Sequence, residues 1–492
     1  MNKLVPLAIL FVLSTTILAQ PIRLHPKNPH YFLYQSRPTI LISSGEHYGA
    51  VINTDFNYIT YLSTLQKDGL NLTRLFCGAY IENNEAFNIA RNTLAPTSGK
   101  LLVPWARSGE AGYKGGGNKF DLDSWDQAYF NRLKDFLKTA ADKGIIVELT
   151  LFSSYYNDGQ WQMSPLHYNN NITLTDSISY KKLQTPDNGK LMAYQEAYVR
   201  KMVREVNSFD NIYFEIQNEP WSDHGKLAAV TTDYYSASDL KQAGNEWKKK
   251  IELASDASLK WQSRIAAIIQ NEEKTLPKKH LISQNYCNFG FPLDAVDPAV
   301  SILNFHYALP FAATNNLHWK KAVGFNETGF AGTDHNIYRR QAWRFVMSGG
   351  ALFNNLDYSF CAGNEDGSNT NIPDHSTGSA SLRKELSYLV KCMNRMPLTD
   401  MKANNNFIKA SPGAFSYGMA SSNKSVYLVY LEYYKTIEAE LILEKARYKI
   451  EWLDTKTGIL SEALVVDHRG GALRIGKTTE PGGEAVVIVT KQ

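Results

Sequence analysis

The sequence predicts an α/β protein, a (β/α)8 TIM barrel followed by a small C-terminal antiparallel β-sandwich domain. Short apolar runs alternate with amphipathic stretches over most of the 492 residues, which is the pattern of repeated strand–helix–strand units. We find eight such runs, and eight strands with interleaved helices favour a closed barrel. From about Pro397 the pattern changes to short alternating runs separated by turns, which is typical of antiparallel sheets.

The start of the chain is typical of an export signal. Lys3 supplies a positive charge, residues 4–18 are mostly apolar, and the small Ala19 suits cleavage before Gln20. The apolar run is too short and too near the start for a convincing membrane span, and no cysteine follows it at which a lipid could be attached. We therefore expect a signal peptide at 1–19 and an exported protein, periplasmic or extracellular.

The rest of the chain is predicted to form the barrel over 20–396 and the sandwich over 397–492. The predicted barrel strands are 39–44, 70–77, 144–152, 211–217, 280–285, 300–307, 321–325 and 350–357. The predicted helices are 54–68, 124–143, 191–207, 243–275 with a break near 255–258, 335–347 and 379–396. The predicted sandwich strands are 414–417, 425–434, 438–443, 448–454 and 484–489.

Two connections, after the fifth and sixth strands, are too short for full helices, so a doubly wound open sheet is the competing architecture. That architecture commonly binds nucleotides at a glycine-rich loop. The first predicted strand is not followed by G-x-G-x-x-G, and the chain has no Walker-type loop. Nucleotide binding therefore has no support in the sequence.

The composition is that of a soluble globular protein, with 43% hydrophobic and 20% charged residues. The net charge of +4 gives no indication of binding to nucleic acid or to an anionic membrane. The 28 Tyr, 22 Phe and 9 Trp fit a carbohydrate binder, because aromatic rings stack on sugars, although composition alone favours a large core. The four cysteines match no zinc pattern, and we expect free thiols.

The active site of such a barrel lies at the carboxyl ends of its strands, so the ionisable and polar groups found there are the candidates. They occur at six of the predicted strands. The candidates are Glu46 and His47 after the first strand, Arg74 in the second, Asn218, Glu219 and Trp221 after the fourth, His306 and Tyr307 at the sixth, Glu327 after the seventh and Asp357 at the eighth.

Glu219 and Glu327 end strands that stand roughly opposite each other across the barrel mouth. Glycosidic cleavage uses such a pair, because a protonated carboxyl donates to the leaving oxygen and an ionised one attacks the anomeric carbon. A separation of about 5 to 5.5 Å gives retention of configuration, and a wider gap admits a water and gives inversion. An arginine or imidazole keeps the nucleophile ionised, and Arg74 and His306 are placed to do so.

The string at 211–221, NIYFEIQNEPW, resembles strand four of the clan A glycoside hydrolases, in which Asn-Glu-Pro ends the strand. The resemblance is to cellulase-like, family 5-like barrels. It implies a retaining hydrolase of O-glycosidic bonds in a poly- or oligosaccharide, with Glu219 as acid/base and Glu327 as nucleophile. It also implies that Asn218 binds the sugar 2-hydroxyl and that Arg74 and His306 are the family's arginine on strand two and histidine on strand six.

The sequence departs from the cellulase-like pattern at three places. Those proteins usually carry His-x-Tyr on strand six, whereas Tyr307 follows His306 directly here. They often carry a histidine after strand three and a tryptophan on strand eight, where this chain has two serines and Asp357-Tyr358. The sugar, the linkage and the choice between endo and exo action therefore stay open. The C-terminal string YKIEWLDTKTG is similar to the β-sandwich module appended to several such bacterial enzymes.

Several candidates have a structural interpretation beside the functional one. Trp221 adjoins the acid/base and is the best candidate for stacking on a sugar ring. Glu46 and His47 belong either to the outer part of the substrate site or to a structural hydrogen-bonded pair. The same two interpretations apply to Asp357.

The predicted chemistry needs no metal and no organic cofactor, and the expected partner is a carbohydrate, with no nucleic acid and an open oligomeric state. Glu148 and Glu215 lie inside predicted strands, so we expect them in a buried network. The second hypothesis is a catalytically decayed barrel that only binds carbohydrates, which retention of both acids argues against. A serine or metal hydrolase ranks last, because the chain has neither G-x-S-x-G nor H-E-x-x-H.

Overall fold

The computed structural model describes residues 20–230, 246–433, 436–478 and 483–492. The predicted signal peptide, 1–19, and the start of the predicted helix 243–275 lie outside the described residues.

A parallel eight-stranded barrel forms the larger part of the molecule, as predicted. Its strands are β1 (Leu41–Gly45), β2 (Leu72–Phe76), β3 (Ile146–Ser153), β4 (Ile212–Asn218), β5 (Ile282–Asn288), β6 (Ile302–His306), β7 (Ala322–Thr328) and β8 (Leu352–Leu356). Hydrogen bonding gives the neighbour order β1-β8-β7-β6-β5-β4-β3-β2. The amide of Asn71 donates to the carbonyl of Ile42 at 3.3 Å, which brings β2 back beside β1. Every residue of these strands is buried, as expected of strands covered by helices outside and side chains inside.

Helices surround the barrel. They are α1 (Tyr58–Asp68), α2 (Gln127–Asp142), α3 (Leu191–Val206), α4 (Asp256–Glu273), α5 (Pro310–Thr314), α6 (His335–Met347) and α7 (Ala380–Asn394). Local sequence explains several of their starts, since side chains of Asn57, Asp126, Asp334 and Ser379 accept hydrogen bonds from first-turn amides. A loop joins β5 to β6, and α5 has only five residues, so the prediction of two short connections is confirmed.

Among the described residues of the predicted helix 243–275, only the part after the expected break near Ser255 is an α-helix. Helix α4 starts at Asp256, where the side chain of Ser255 caps it, and not near residue 243. The strand Lys250–Ala254 precedes it and pairs antiparallel with Gly225–Val230, which follows the short helix after β4. The apolar residues before 255 thus form a small hairpin beside the barrel mouth.

The C-terminal region forms two antiparallel sheets, as predicted. Its strands are β9 (Met401–Ala403), β10 (Ile408–Ala410), β11 (Ala414–Ser421), β12 (Val426–Tyr433), β13 (Thr436–Leu443), β14 (Ala446–Asp454), β15 (Leu464–His468), β16 (Gly471–Thr478) and β17 (Glu484–Lys491). One sheet has the order β9-β11-β12-β17-β14-β15 and the other β10-β13-β16. Val429 and Val487 of the larger sheet and Leu441 of the smaller one belong to a common apolar cluster.

The larger sheet packs on α6 of the barrel. The indole of Trp343 stacks on the ring of Tyr430, with 5.7 Å between centroids. Beside it, the guanidinium of Arg339, which has no exposed side-chain surface, lies 2.5 Å from Glu385 and also 2.5 Å from Glu484 of β17. The two parts of the chain are therefore joined by a buried apolar and ionic contact.

All four cysteines are buried free thiols in the described part of the chain. Among the described helices, none combines the length and apolar character that a bilayer crossing needs.

Candidate active site

A cavity of about 580 Å³ opens at the carboxyl ends of the barrel strands. Its wall is rich in aromatic rings, in keeping with the composition. The rings are those of His47, Tyr48, Phe76, Tyr80, Phe87, Tyr156, Trp221, Trp247, Tyr307, Phe330 and His375. The polar side chains of the wall are Glu82, Asn88, Asn218, Glu219, Ser222, Glu252, Asn288 and Glu327.

The two predicted catalytic carboxylates face each other in this cavity. Glu219 follows β4 and Glu327 lies in β7, and each side chain is almost wholly buried. One carboxylate oxygen of each lies within 4.8 Å of the other. This approach of the nearest oxygens is compatible with the separation of about 5 to 5.5 Å between carboxyl groups in retaining glycosidases, whereas inverting ones need about 6.5 to 9.5 Å to leave room for an attacking water.

Three tyrosine hydroxyls hold the two carboxylates. Tyr307 lies between them, with its hydroxyl 3.2 Å from Glu219 Oε1 and 3.1 Å from Glu327 Oε1. Tyr156 donates to Glu219 Oε2 at 2.5 Å, and Tyr48 donates to Glu327 Oε2 at 2.9 Å. Each glutamate thus has one hydroxyl of its own and shares a third.

The imidazole of His306 contacts both carboxylates. Its Nδ1 lies 2.9 Å from Glu219 Oε1 and 3.5 Å from Glu327 Oε1. Burial by itself lowers the pKa of His306, but the charge of Glu327 and the hydrogen bond to Glu219 outweigh burial and raise it to about 9. Burial likewise raises the pKa of Glu327, and here His306 and Arg74 prevail and hold it well below its usual range. Glu327 is therefore ionised at neutral pH.

Arg74 supports the site from inside the barrel. Nη1 of Arg74 donates to Glu327 Oε2 at 2.9 Å. Nη2 donates to Asn218 Oδ1 at 2.7 Å and to Glu215 Oε2 at 2.5 Å. Arg74 and His306 have fully buried side chains and are not part of the cavity wall. Both residues therefore contact the carboxylates from behind, which is the position expected of groups that keep the nucleophile ionised, and neither forms the surface that a substrate would meet.

Glu148 and Glu215 form the buried network that the sequence predicted. Amide groups of three strands supply its donors: Asn326 donates to Glu215 at 2.6 Å, Asn304 donates to Glu148 at 2.9 Å, and Asn285 donates to Glu215. Buried carboxylates require hydrogen-bond donors of this kind. Because Arg74 bonds to Glu215, the network also holds the Arg74 guanidinium in place inside the barrel.

Left-handed backbone conformations cluster around the cavity. Tyr48, Glu219, Tyr307 and Phe330 all line it and have φ of 63°, 45°, 51° and 56°. Side chains larger than glycine adopt this region at a cost, and such residues concentrate at functional sites. Tyr307 has a left-handed backbone conformation, and the register between β6 and β7 shifts at His306. As a result, the consecutive side chains of His306 and Tyr307 both point to the facing carboxylates. The absence of His-x-Tyr spacing therefore does not remove the tyrosine from the site.

Two candidate substrate-binding residues lie outside the cavity wall. Glu46 is buried and accepts hydrogen bonds from the amides of Gly49 and Ala50 at 3.1 and 3.0 Å, so it stabilises the turn that carries His47. Asp357 is fully buried and accepts from Ser44 at 2.9 Å and from the Arg383 guanidinium at 2.8 Å. Of the two interpretations left open for Glu46 and Asp357, these contacts favour the structural one over a substrate contact, since the carboxylate oxygens are engaged in the barrel rim.

The other four candidates line the cavity as expected. They are His47, Asn218, Trp221 and Tyr307. Sequence reasoning missed Glu82, Trp247, Phe330 and His375, which stand in the connections that follow the strands and carry no motif. The one available signal was that long loops follow the predicted strands, and it does not say which loop residues turn inward.

The described residues contain one group whose atoms are close enough to hold a metal ion, formed by Glu219, His306 and Glu327. In this arrangement His306 Nδ1 is directed at the carboxylates as a hydrogen-bond donor, and the raised pKa of His306 keeps it protonated. A protonated imidazole nitrogen is not a metal ligand. The group is thus suited to acid–base and nucleophilic chemistry.

Comparison with known proteins gives structural matches only. No family model and no curated protein sequence matches the chain. A solved structure described as a glycoside hydrolase superposes with a TM-score of 0.61 at 13% identity, covering 96% of this chain and 97% of that one. A putative glycoside hydrolase from Bacteroides vulgatus matches with a TM-score of 0.63 at 14% identity, over 96% and 83% of the two chains. A glycoside hydrolase family 5 structure from the same organism has a TM-score of 0.61 at 12% identity, over 96% and 93%. At these identities the matches show that the chain shares the fold of these proteins, both barrel and sandwich.

Proposed function

We propose that the protein is a retaining glycoside hydrolase that cleaves O-glycosidic bonds in a poly- or oligosaccharide. The observation that carries the proposal is the pair Glu219 and Glu327, whose oxygens come within 4.8 Å at the carboxyl ends of β4 and β7. The fold shared with solved glycoside hydrolases supports it. The aromatic wall of the cavity supports a carbohydrate as the substrate.

The reaction has two displacements. The ionised Glu327 attacks the anomeric carbon and forms a bond to it, while Glu219 gives its proton to the departing glycosidic oxygen. Glu219, now a carboxylate, takes a proton from a water, whose oxygen attacks the same carbon and releases Glu327. Two inversions give net retention, and the atoms of one water are divided between the two products.

The surroundings of Glu327 suit the role of nucleophile. Arg74 and Tyr48 donate to Glu327 and not to Glu219, and the charge of Arg74 stabilises the ionised form of Glu327. Tyr156 and Ser222 donate to Glu219 Oε2, at 2.5 and 3.2 Å. Glu219 also sits beside Trp221, on the side of the cavity where a leaving group would be released.

The test is a panel of aryl glycosides, with NMR of the product anomer and azide rescue. The wild-type protein should release product with retained configuration. Glu327→Ala should be inactive, and added azide should give a glycosyl azide of inverted configuration, because azide takes the position of the missing carboxylate. Glu110→Ala, in an exposed hairpin, is the matched control and should keep full activity. Inverted hydrolysis product, or an active Glu327→Ala variant, would contradict the proposal. Glycan binding without turnover would favour a carbohydrate-binding protein.

We also propose that the protein is exported, from the signal-like character of residues 1–19. Fractionation of expressing bacterial cells tests this. The mature protein should start near Gln20 and appear in the periplasm or medium. An uncleaved chain in the cytoplasm would contradict it.

A further inference from the structure

A second cavity, of about 300 Å³, opens at the amino ends of the barrel strands. Its lining comes from the segment before β1, from the connections that lead into β7 and β8, and from β9 of the sandwich. It shares none of its described lining residues with the candidate active site, which lies at the carboxyl ends. The side chains of the lining that carry nitrogen or hydroxyl groups are those of His30, Tyr31, His318, Lys320 and Lys402.

The ionisable nitrogens of this cavity are not matched by any acid. Among its described lining residues, two are histidines, two are lysines, and none is an aspartate or a glutamate. In the described part of the chain, no carboxylate oxygen lies within 4.0 Å, the limit for an ion pair, of the ammonium of Lys320 or Lys402. The two positive charges are therefore available to an anion, which they can bind with charge-assisted hydrogen bonds.

Tyr31 adds a buried hydrogen-bond donor to this cavity. Only 2% of its surface is exposed, and its hydroxyl makes no hydrogen bond to a described residue. The hydroxyl is not one of the fully enclosed polar atoms of the described chain, so its remaining exposure is toward the cavity that Tyr31 lines. Burial raises the pKa of Tyr31, so the hydroxyl stays protonated. Most buried polar groups in folded proteins are hydrogen-bonded, and an acceptor on a ligand would supply the missing partner.

The ring of His30 offers an acceptor. Nδ1 of His30 lies 3.2 Å from the carbonyl oxygen of Lys321 and therefore carries the hydrogen of that contact. Burial lowers the pKa of His30, and the charge of Lys402 lowers it further against the effect of the Lys321 carbonyl. The ring is thus neutral at pH 7, and Nε2 is left as an acceptor for a hydroxyl group.

The backbone at Lys320 has a left-handed conformation, with φ of 53°. Lys320 follows the short 3-10 turn Leu317–Trp319, and glycine or asparagine is the usual residue where a helical segment ends in this conformation. A lysine occupies the position at a cost in strain, and strained residues of this kind concentrate at functional sites. This supports a role for the Lys320 side chain in the cavity that it lines.

The rest of the lining is mostly apolar. Leu317, Met401 and the ring of Tyr31 provide carbon surface on which the C–H face of a sugar ring can pack. The volume of about 300 Å³ is at the lower end of the range for small-molecule sites, roughly 300 to 1,000 Å³. A single sugar ring belongs to this size class, whereas a lone inorganic anion would leave the carbon surface uncovered.

We propose that this cavity binds a sugar acid, that is, one sugar ring that carries a carboxylate. The carboxylate accepts from Lys320, Lys402 and the Tyr31 hydroxyl, and a ring hydroxyl donates to Nε2 of His30. The ligand is either a free monosaccharide acid or the end residue of an acidic glycan. The inference concerns a second site and does not rest on the proposed hydrolase activity.

The first experiment measures binding to the wild-type protein by isothermal titration calorimetry, with glucuronate, glucose and inorganic phosphate as probes. Glucuronate should bind at least about tenfold more tightly than glucose or phosphate, because glucose lacks the charge and phosphate lacks the ring. Raised salt should weaken glucuronate binding, since both lysines are exposed. Equal binding of glucose would overturn the role of the charges, and equal binding of phosphate would overturn the assignment to a sugar.

Methyl glucuronoside distinguishes the two sources of the ligand. Its anomeric oxygen is blocked, as in the end residue of a glycan. Binding equal to that of glucuronate supports a glycan end, and weaker binding supports the free acid. A failure of both compounds to bind would overturn the inference.

The second experiment repeats the glucuronate titration with Tyr31→Phe, Lys320→Asn and Lys402→Gln. Tyr31→Phe keeps the buried ring, and asparagine tolerates the left-handed backbone at 320. Tyr31→Phe should weaken binding roughly tenfold to a hundredfold, because it removes a hydrogen bond to a carboxylate. Each lysine variant should weaken it by about twofold to fivefold, the contribution of an exposed ion pair. Lys445→Gln, in an exposed turn of the sandwich, is the matched control and should bind like the wild type.

The ring signals of His30 report where glucuronate binds. They should shift in the NMR spectrum on addition of glucuronate, whereas those of His468 in the sandwich should not. Unchanged binding in all three variants, or an unmoved His30 signal with glucuronate bound, would place the ligand elsewhere and overturn the inference.

Hydrolysis by Lys402→Gln separates this inference from the proposed function. Its kcat/KM on a glycoside that the wild type cleaves should be unchanged, because Lys402 lies outside the candidate active site. If the wild type cleaves no glycoside but binds glucuronate here, the proposed function fails and the second site stands. If hydrolysis is normal and the three variants bind like the wild type, the second site fails and the proposed function stands.

Discussion

The guanidinium of Arg74 lies 2.5 Å from the carboxylate of Glu215, inside the barrel and without exposure of either side chain. The same guanidinium donates to Glu327 at 2.9 Å. The ion pair with Glu215 therefore determines where the positive charge of Arg74 lies behind Glu327, the proposed nucleophile. A change at Glu215 should therefore affect Glu327, although Glu215 is not part of the cavity wall.

We predict that Glu215→Gln lowers the free energy of unfolding by about 3 to 5 kcal/mol, the usual result of removing one partner of a buried ion pair. It should also lower kcat, because Arg74 loses the contact that directs it to Glu327. Denaturant unfolding and kinetics on the cleaved glycoside measure the two effects. Unchanged stability together with unchanged kcat would contradict the assigned role.

Glu148→Gln is the matched control in the same network. Burial, and then the nearby charge of Glu215, raise the pKa of Glu148 to about 8. The residue is thus protonated at neutral pH, and glutamine resembles that form, so little loss of stability is expected at pH 6.

Glu148→Gln should differ from the wild type in how its free energy of unfolding depends on pH. A raised carboxyl pKa in the folded state means that the wild type gains stability from the bound proton. This gain in stability is fully present below the ordinary pKa of a glutamate, and it is lost as the pH rises through about 8, the raised pKa of Glu148. Glu148→Gln should therefore lose less stability than the wild type between pH 5 and pH 9, a range set by these two pKa values. Parallel curves for the two proteins would show that Glu148 is ionised throughout.

His306→Asn should move the acidic limb of the pH profile to higher pH. His306 is the foremost group that holds the pKa of Glu327 down, and burial acts in the opposite direction. Without the imidazolium, a higher pH is needed to ionise the nucleophile. The measurement is kcat/KM against pH for both proteins on one substrate. A uniform fall in kcat/KM with an unmoved acidic limb would mean that His306 does not tune Glu327.

Tyr307→Phe tests the hydroxyl that lies between the two carboxylates at 3.2 and 3.1 Å. Loss of a hydrogen bond to a charged group costs about 1.5 to 3 kcal/mol, so kcat/KM should fall by roughly tenfold to a hundredfold. Tyr448→Phe, whose hydroxyl donates to a backbone carbonyl in the sandwich, is the control. Activity of Tyr307→Phe equal to that of the control would show that the bridging hydroxyl contributes nothing to catalysis.

The facing pair of carboxylates could be predicted from the sequence because strand periodicity identifies the ends of β4 and β7, and a local motif also marks the end of β4. Glu219 and Glu327 are placed by the strands that carry them, so their convergence follows from the barrel itself. Glu82 could not be predicted in this way. It is held by Tyr80 and by the distant His47 and Asn92, and long-range packing decides which loop side chain meets which partner.

The sequence pattern also could not predict the direction in which a side chain at a strand end points. Glu46 and His47 are neighbours, yet hydrogen bonds from Gly49 and Ala50 turn Glu46 into the rim while His47 enters the cavity. Tyr307 reaches the site through a left-handed backbone conformation that a simple strand alternation excludes. Both outcomes depend on turns whose geometry is set by their surroundings.

The contact between α6 and β17 leads to a last prediction, that the sandwich stabilises the barrel. Glu484 accepts from Nε of Arg339 and from the hydroxyl of Tyr430, each at 2.5 Å, and neither charged side chain has exposed surface. Glu484→Gln should lower the free energy of unfolding by about 3 to 5 kcal/mol, because Arg339 keeps its buried charge with one carboxylate fewer. Glu438→Gln breaks an exposed pair with Arg474 in the same sandwich and should leave the thermal midpoint nearly unchanged, since exposed pairs contribute little. Calorimetry of the two variants gives the comparison. Equal thermal midpoints would mean that the sandwich is attached to the barrel without supporting it, and a single transition that shifts only in Glu484→Gln would mean that both parts unfold as one unit.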